Sequence, residues 1–132
     1  MNHFELSKFI SKLNIARQGH FKVIKVQHNK IILKLLEFFE ENGIIRGFYM
    51  IPKDAQIKVF LKYKVAYVGG IIRIKHVSKP SRRVYVDMLE LTKLKEKYSK
   101  SFFILITKKG FLTDGECIRQ KIGGEVLLKI IL

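Results

Sequence analysis

The apolar residues of this chain change their spacing at Ile44. Before it they recur at intervals of three and four: Leu6, Phe9, Ile10 and Leu13, then Ile32, Leu35, Leu36 and Phe39. That period lays one apolar stripe along each of two helices and leaves the lysines on the far side. After Ile44 the period is two. Ile57, Val59, Leu61 and Tyr63 alternate with Lys58, Phe60, Lys62 and Lys64, the pattern of a half-buried strand with a lysine-rich outer face. A chain patterned in both ways is neither a helical bundle nor an all-β barrel, and its fold class is α+β.

The punctuation residues divide it further. A helix over residues 4–17 ends at Gly19, and a short strand follows over 21–26. Asn29 suits the N-cap of the second helix, and Gly43 lies just past its end. Glu40 and Glu41 sit near that end, where the helix dipole disfavours them. Residues 44–51 form a strand, Pro52-Lys53-Asp54 a turn, and the alternating segment the next strand. Residues 1–66 are therefore an α/β lobe in the order helix-strand-helix-strand-strand, with a joint at 67–70. Residues 67–132 read as a mainly β lobe with one short helix. Its strands cover 71–77, 82–86, a fully apolar 102–106 and 125–131. Residues 91–98 form a charged linker, and Asp114 caps a short helix running to Ile122.

Hydrophobic residues make up 48% of the chain, enough for a core, so the net charge of +15 over 132 residues sits on the surface of a folded body. Such a surface draws a polyanion, because each neutralised phosphate releases counterions. Lysine outnumbers arginine, which makes the surface one of flexible point charges more than rigid forks. Heavy use of isoleucine and sparing use of alanine point to an AT-rich coding genome.

Enzymatic readings find little support. Cys117 is the single cysteine, which excludes an internal disulfide and suggests a reducing compartment. Paired with His28 or His76 it would make a nucleophile and base, but no oxyanion loop or orienting third group accompanies them, and the inner face of a short helix explains it better. His3, His20, His28 and His76 have no paired spacing, so neither a metal site nor a cofactor is expected. Asp87 and Glu90 read as charges balancing nearby lysines. Gly69-Gly70 and Gly123-Gly124 match no phosphate-loop fingerprint, and the first pair reads as a bend. No apolar run approaches the roughly 18 residues of a spanning helix. The N-terminus lacks the pattern of a secretory signal and reads as part of the fold.

Binding readings fare better. Ser78-Lys79-Pro80-Ser81-Arg82-Arg83-Val84-Tyr85 is a rigid turn feeding a strand, on which Arg82 and Arg83 must face opposite ways. Tyr85 either stacks on a base or packs. Thr107-Lys108-Lys109-Gly110 surfaces where a buried strand ends, and Gly110 permits a sharp turn through positive φ. Gly123-Gly124-Glu125 precedes the last strand. Its carboxylate either accepts from base amino groups, orients a lysine, or closes a salt bridge in a tight turn.

Taken together these segments resemble one family, the universal small-subunit ribosomal protein number eight. Its members carry a Ser-Lys/Arg-Pro-Gly-Arg-Arg-like turn, a Ser-Thr-Ser-Lys-Gly-x-Met-Thr loop, a short helix and Gly-Gly-Glu-[Val/Ile]. The matching segments here are Ser78 to Arg83, Ile106 to Asp114 and Gly123 to Val126, in the same order and spacing. More loosely, Ser11-Lys12-Leu13-Asn14-Ile15-Ala16, Asn29-Lys30 and Glu40-Glu41-Asn42-Gly43-Ile44-Ile45 match the first half of the family, so the resemblance runs essentially the full length. Ser81 replaces a glycine, and Ile106 and Lys108 replace two serines. The second change removes two hydroxyls and puts a charge in place of one of them.

The resemblance implies a non-enzymatic constituent of the small ribosomal subunit that binds the central domain of its RNA, supports assembly and has ribosomal proteins as neighbours. It assigns Thr107, Lys108, Lys109, Gly110 and Thr113 to the main RNA contact, with Gly123, Gly124 and Glu125 alongside. Lys79, Arg82 and Arg83 would clamp backbone, and Ser11, Lys12, Asn14 and Lys30 would reach RNA from the first lobe. The drifted motifs and composition suggest a mitochondrial ribosome, with a plastid or a bacterial cytoplasm as alternatives. The competing reading is a free-standing basic regulator of RNA or DNA, which would bind unrelated duplexes nearly as well.

Overall fold

The computed structural model describes residues 3–63 and 73–131. The chain forms two compact units, Met1–Ile71 and Ile72–Leu132. The joint expected at 67–70, the lobe boundary at 66/67 and the Gly69-Gly70 bend lie outside the described residues. No helix among the described residues is long and apolar enough to cross a membrane.

The first unit follows the expected order: α1 (His3–Gln18), β1 (Val23–Gln27), α2 (Lys30–Glu41), β2 (Ile45–Ile51) and β3 (Gln56–Leu61). The three strands form an antiparallel sheet in the order β1-β3-β2. Its buried face carries Ile24, Val26, Ile57 and Val59, and the helices contribute Leu6, Phe9, Leu13, Leu35, Leu36 and Phe39 to the same core. The Phe9 and Phe39 rings stack with centroids 6.4 Å apart. The residue in left-handed backbone after α1 is His20 (φ 54).

Asn29 caps α2, its side chain accepting from the Ile31 amide at 2.9 Å. The unfavourably placed Glu40 and Glu41 are offset at the other end. The Asn42 side-chain amide donates to the Phe38 carbonyl at 2.9 Å, and Gly43, at φ 73, donates to Glu40. The terminal carbonyls are thus satisfied without a cation. Arg17 is buried against this corner, its Nη2 donating to the Ile44 carbonyl at 3.0 Å. Desolvation lowers its pKa, partly opposed by nearby Tyr63.

The second unit comprises β4 (Arg73–His76), β5 (Tyr85–Val86), α3 (Met88–Lys97), β6 (Ser101–Thr107), β7 (Gly110–Thr113), α4 (Asp114–Gln120) and β8 (Gly124–Ile131). Its sheet runs β4-β8-β6-β7, with β5 also paired to β8. Leu91, Phe103, Leu105, Leu112, Cys117 and Val126 form its core cluster.

The α+β class holds, but this unit has two helices rather than one. The segment read as a charged linker is α3, a helix of 10 residues. Asp87 and Glu90, read as charges balancing nearby lysines, form its capping box: the Glu90 amide donates to Asp87 Oδ1 at 2.8 Å, and the Asp87 amide points back to Glu90 Oε1 at 3.4 Å. The strand expected over 82–86 shortens to Tyr85–Val86, because Lys79 and Arg82 pair with each other across the preceding turn. Ser78, fully buried inside that turn, accepts from the Val84 amide at 3.0 Å.

The cap of α4 is Thr113, not Asp114: the Thr113 hydroxyl accepts from the Glu116 amide at 3.3 Å. Asp114 is buried instead. It accepts from the amides of Gly115 at 2.7 Å and Phe103 at 3.3 Å, and pairs with Lys95 at 3.5 Å. One carboxylate thereby ties α4 to β6 and α3. The helix ends at Gln120, two residues short of Ile122, because Lys121 turns left-handed at φ 59.

The capping box makes α3 sensitive to one substitution. Asp87→Ala should lower stability by about 1 kcal/mol, seen as a lower urea midpoint at unchanged slope.

Candidate nucleic-acid interface

The beginning of β8 is squeezed between β5 and β6. A Cβ on Gly123 would lie 2.3 Å from the Val86 carbonyl oxygen, and one on Gly124 would lie 2.4 Å from that of Ile106. Only glycine admits so close an approach of backbones. The register then sets Tyr85 and Ile106 on either side of Glu125, in one row across the sheet. Tyr85, Ile106, Thr107, Lys108, Gly123, Gly124 and Glu125 line a shallow depression of about 410 Å³.

This row gathers five of the residues picked from the sequence: Thr107, Lys108, Gly123, Gly124 and Glu125. It adds Tyr85, whose stacking and packing readings had been left open; the side chain is 64% exposed, so it is no core residue. It also adds Ile106, read from the sequence only as a departure from the serine pattern. The missed signal was the alternation that places Ile106 and Lys108 two residues apart.

Glu125 is 8% exposed. Its Oε2 lies 3.9 Å from Arg83 Nη1, an ion pair too long for a hydrogen bond, and has no hydrogen-bond partner among the described residues. A buried carboxylate oxygen in that state is a waiting acceptor. The Thr107 hydroxyl is already engaged: it donates to the Gly110 carbonyl at 3.0 Å and accepts from the Lys109 amide at 3.1 Å. It therefore shapes the β6–β7 turn, which Gly110 completes at φ 94. Lys108 is exposed. Lys109 lies outside the depression's lining, and its ammonium donates to Gln120 Oε1 at 3.0 Å. That neutral partner positions the charge without cancelling it.

The remaining residues separate. Thr113 does not join the depression, since its hydroxyl caps α4. Arg82 and Arg83, both ahead of the shortened β5, nonetheless point to different places. Arg83 pairs with Glu125, whereas Arg82 and Lys79 line another hollow of about 490 Å³ with Lys75, His76, Tyr98 and Lys129. In the first unit Ser11 and Lys12 are exposed on α1 and Asn14 is half-buried there, while Lys30 is exposed at the first position of α2. The Lys12 ammonium donates to the Lys25 carbonyl on β1.

Cys117 is fully buried in the core of its unit, where desolvation, then Glu116 and Asp114, raise its pKa. Burial and the raised pKa both disfavour the thiolate, as for a structural core cysteine.

The family model described as Ribosomal protein S8 matches residues 5–131. The small ribosomal subunit protein uS8 of Helicobacter acinonychis (strain Sheeba) is 34% identical over 123 residues, covering 92% of each chain. Its counterpart in Helicobacter pylori (strain Shi470) has the same identity and coverage. The small ribosomal subunit protein uS8m of Acanthamoeba castellanii is 37% identical over 125 residues, covering 95% of this chain and 97% of the relative.

Gly123→Ala should cost about 1–3 kcal/mol, the scale of an overpacked core, read from urea unfolding. Cys117 should resist an alkylating reagent at neutral pH in the folded protein and react promptly in denaturant, as mass spectrometry of the quenched reaction would register.

Proposed function

The chain belongs to the ribosomal protein S8 family and is a structural, RNA-binding component of the small ribosomal subunit; we propose that its second unit holds the central domain of small-subunit ribosomal RNA through the depression around Glu125. The observation that carries this reading is the row Tyr85–Glu125–Ile106 beside the lysine-bearing β6–β7 turn. It offers an exposed ring, an unsatisfied buried acceptor and flexible cations within one shallow surface. A-form RNA hides its major-groove edges, so such a surface reads shape, phosphates, ribose hydroxyls and unstacked bases.

The roles divide by chemistry. Lys108 and Lys109 neutralise phosphates. The free oxygen of Glu125 accepts from a base amino group or a ribose hydroxyl, with Arg83 alongside it at 3.9 Å. Tyr85 stacks on an unpaired base. Thr107, Gly110, Thr113, Gly123 and Gly124 keep the turn, the helix and the strand start in place, while Lys79 and Arg82 add backbone contacts. Ser11, Lys12, Asn14 and Lys30 supply contacts from the first unit. The family is structural, and catalysis has no part in this reading.

We further propose that the ribosome concerned is mitochondrial. The similarity to a mitochondrial uS8m over nearly the whole chain supports this, and the bacterial relatives frame the alternative. Co-sedimentation of the native protein with organellar small subunits is the expected result; co-sedimentation with bacterial cytoplasmic subunits would overturn it.

Lys109→Ala should weaken binding to the cognate RNA helix by about 1–3 kcal/mol, the scale of a charge-assisted hydrogen bond. The salt dependence should fall by roughly one unit of slope. A filter assay across a salt series checks both, and an unchanged affinity would remove Lys109 from the site. Equal binding of unrelated duplexes would favour a free-standing regulator.

A further inference from the structure

The first unit has a sheet face that its helices leave open. Ile24, Val26, Ile57 and Val59 point into the helical core, so the alternate positions Lys25, Lys58, Phe60 and Tyr49 point the other way. Tyr49 lies directly opposite Lys58 in register, and Lys58 lies directly opposite Lys25. The Tyr49 and Phe60 rings are 5.8 Å apart, and the Lys58 ammonium sits 5.7 Å from each centroid. Tyr49 is 49% exposed. Beyond Phe60 the face continues into a hollow of about 530 Å³ lined by Lys22, Arg46, Lys62 and Tyr63 among others.

We infer that this face is a stacking platform for an unpaired segment of RNA, with bases on Tyr49 and Phe60 and phosphates on Lys25, Lys58 and Lys62. The inference rests on the RNA-binding reading of the chain but not on the site around Glu125.

Three observations favour this occupant. None of the three strands carries an aspartate or glutamate, so the face has no carboxylate of its own to neutralise its lysines. One carboxylate from outside the sheet does reach this face: Glu40 of α2 lies beside Gly47, opposite Phe60 at the β2 edge, leaving Lys25 and Lys58 without an acid on their own strands. Two lysines placed opposite each other across β1 and β3 repel, a cost that a bound polyanion relieves. Paired aromatic rings interleaved with cations are what successive bases and phosphates require, whereas the core of a protein interface is depleted in lysine. A duplex keeps its bases stacked and cannot use the rings. The three strands span roughly 10 Å, which suits two or three nucleotides.

The test uses the full chain and two single-stranded probes of about ten nucleotides, the span of one such platform. One is an adenine oligomer and the other an abasic ribose-phosphate oligomer of equal length. The intact protein should bind the adenine oligomer more tightly. Tyr49→Ala should weaken that binding about tenfold and leave the abasic oligomer unaffected, while Tyr49→Phe, which keeps the ring, should behave as the parent protein does.

Equal binding of the adenine oligomer by parent and Tyr49→Ala would overturn the inference, as would an equal loss for both oligomers. Irradiation of native small subunits should cross-link the Tyr49 peptide to a nucleotide, and a cross-link to a neighbouring protein instead would also overturn it. Lys109→Ala serves as the independent arm. If that variant binds the cognate helix normally while the Tyr49 results stand, Lys109 leaves the proposed second-unit site and the platform remains.

Discussion

The second unit depends on two backbones passing within a glycine's reach of a third. Gly123 and Gly124 let β8 enter between β5 and β6 with no side chain in the way. Each would force a Cβ to within 2.4 Å or less of a carbonyl oxygen if replaced. Because β8 enters there, Glu125 falls between Tyr85 and Ile106, and the sheet acquires a central strand that also pairs with β4. The same close approach that completes the core therefore assembles the candidate interface. From sequence, the Gly-Gly pair can be taken for a flexible loop that lets a ligand in; the geometry assigns it to strand packing, with the depression as a consequence.

The first unit was legible in outline because its periodicities are strong and its punctuation is unambiguous. Asn29 caps the helix that carries the second apolar stripe, and Gly43 closes the same helix. The second unit was harder for identifiable reasons. Helix α3 buries only Leu91 fully, and lysines fill much of its surface, so its stripe is faint. Its real signature is Asp87-x-x-Glu90, a capping box that looks like scattered charge unless spacing is weighed above sign. At α4 two cap-competent residues are adjacent. Thr113 with Glu116 three residues on repeats the capping-box spacing, while Asp114 is drawn inward by the Phe103 amide and Lys95. Composition cannot rank the two, because the deciding partner lies on another strand.

The few acids of the second unit explain why its surface remains so cationic. Asp87 and Glu90 cap a helix, Asp114 anchors another against β6, Glu116 accepts from the Thr113 hydroxyl, and Glu125 is buried beside Arg83. Of these, Asp114 and Glu125 each face one partly exposed cation, Lys95 and Arg83, while Asp87, Glu90 and the remaining acid, Glu96, are exposed. Six acids in this unit are too few to offset its lysines and arginines, as the chain's 26 basic over 11 acidic residues imply. Such a surface accelerates encounter with RNA but discriminates poorly.

The drift at positions 106 and 108 follows from a division of labour. Thr107 keeps its hydroxyl because the β6–β7 turn uses it twice, once as donor and once as acceptor. Its neighbours have no such internal duty: Ile106 lies in the sheet row next to Glu125, and Lys108 is exposed. Replacing a serine by isoleucine beside Glu125 adds apolar area where Tyr85 already presents a ring, which suits the face of a base better than its edge. Replacing the other by lysine exchanges a short, directional hydroxyl for a long-range charge. The turn keeps its shape while, in the proposed reading, its contacts shift from hydrogen bonds toward stacking and charge. The first unit makes the same combination in Tyr49, Phe60 and Lys58. Both proposed surfaces thus combine rings with lysines, a pairing that tolerates sequence change in an RNA more readily than hydroxyl contacts do.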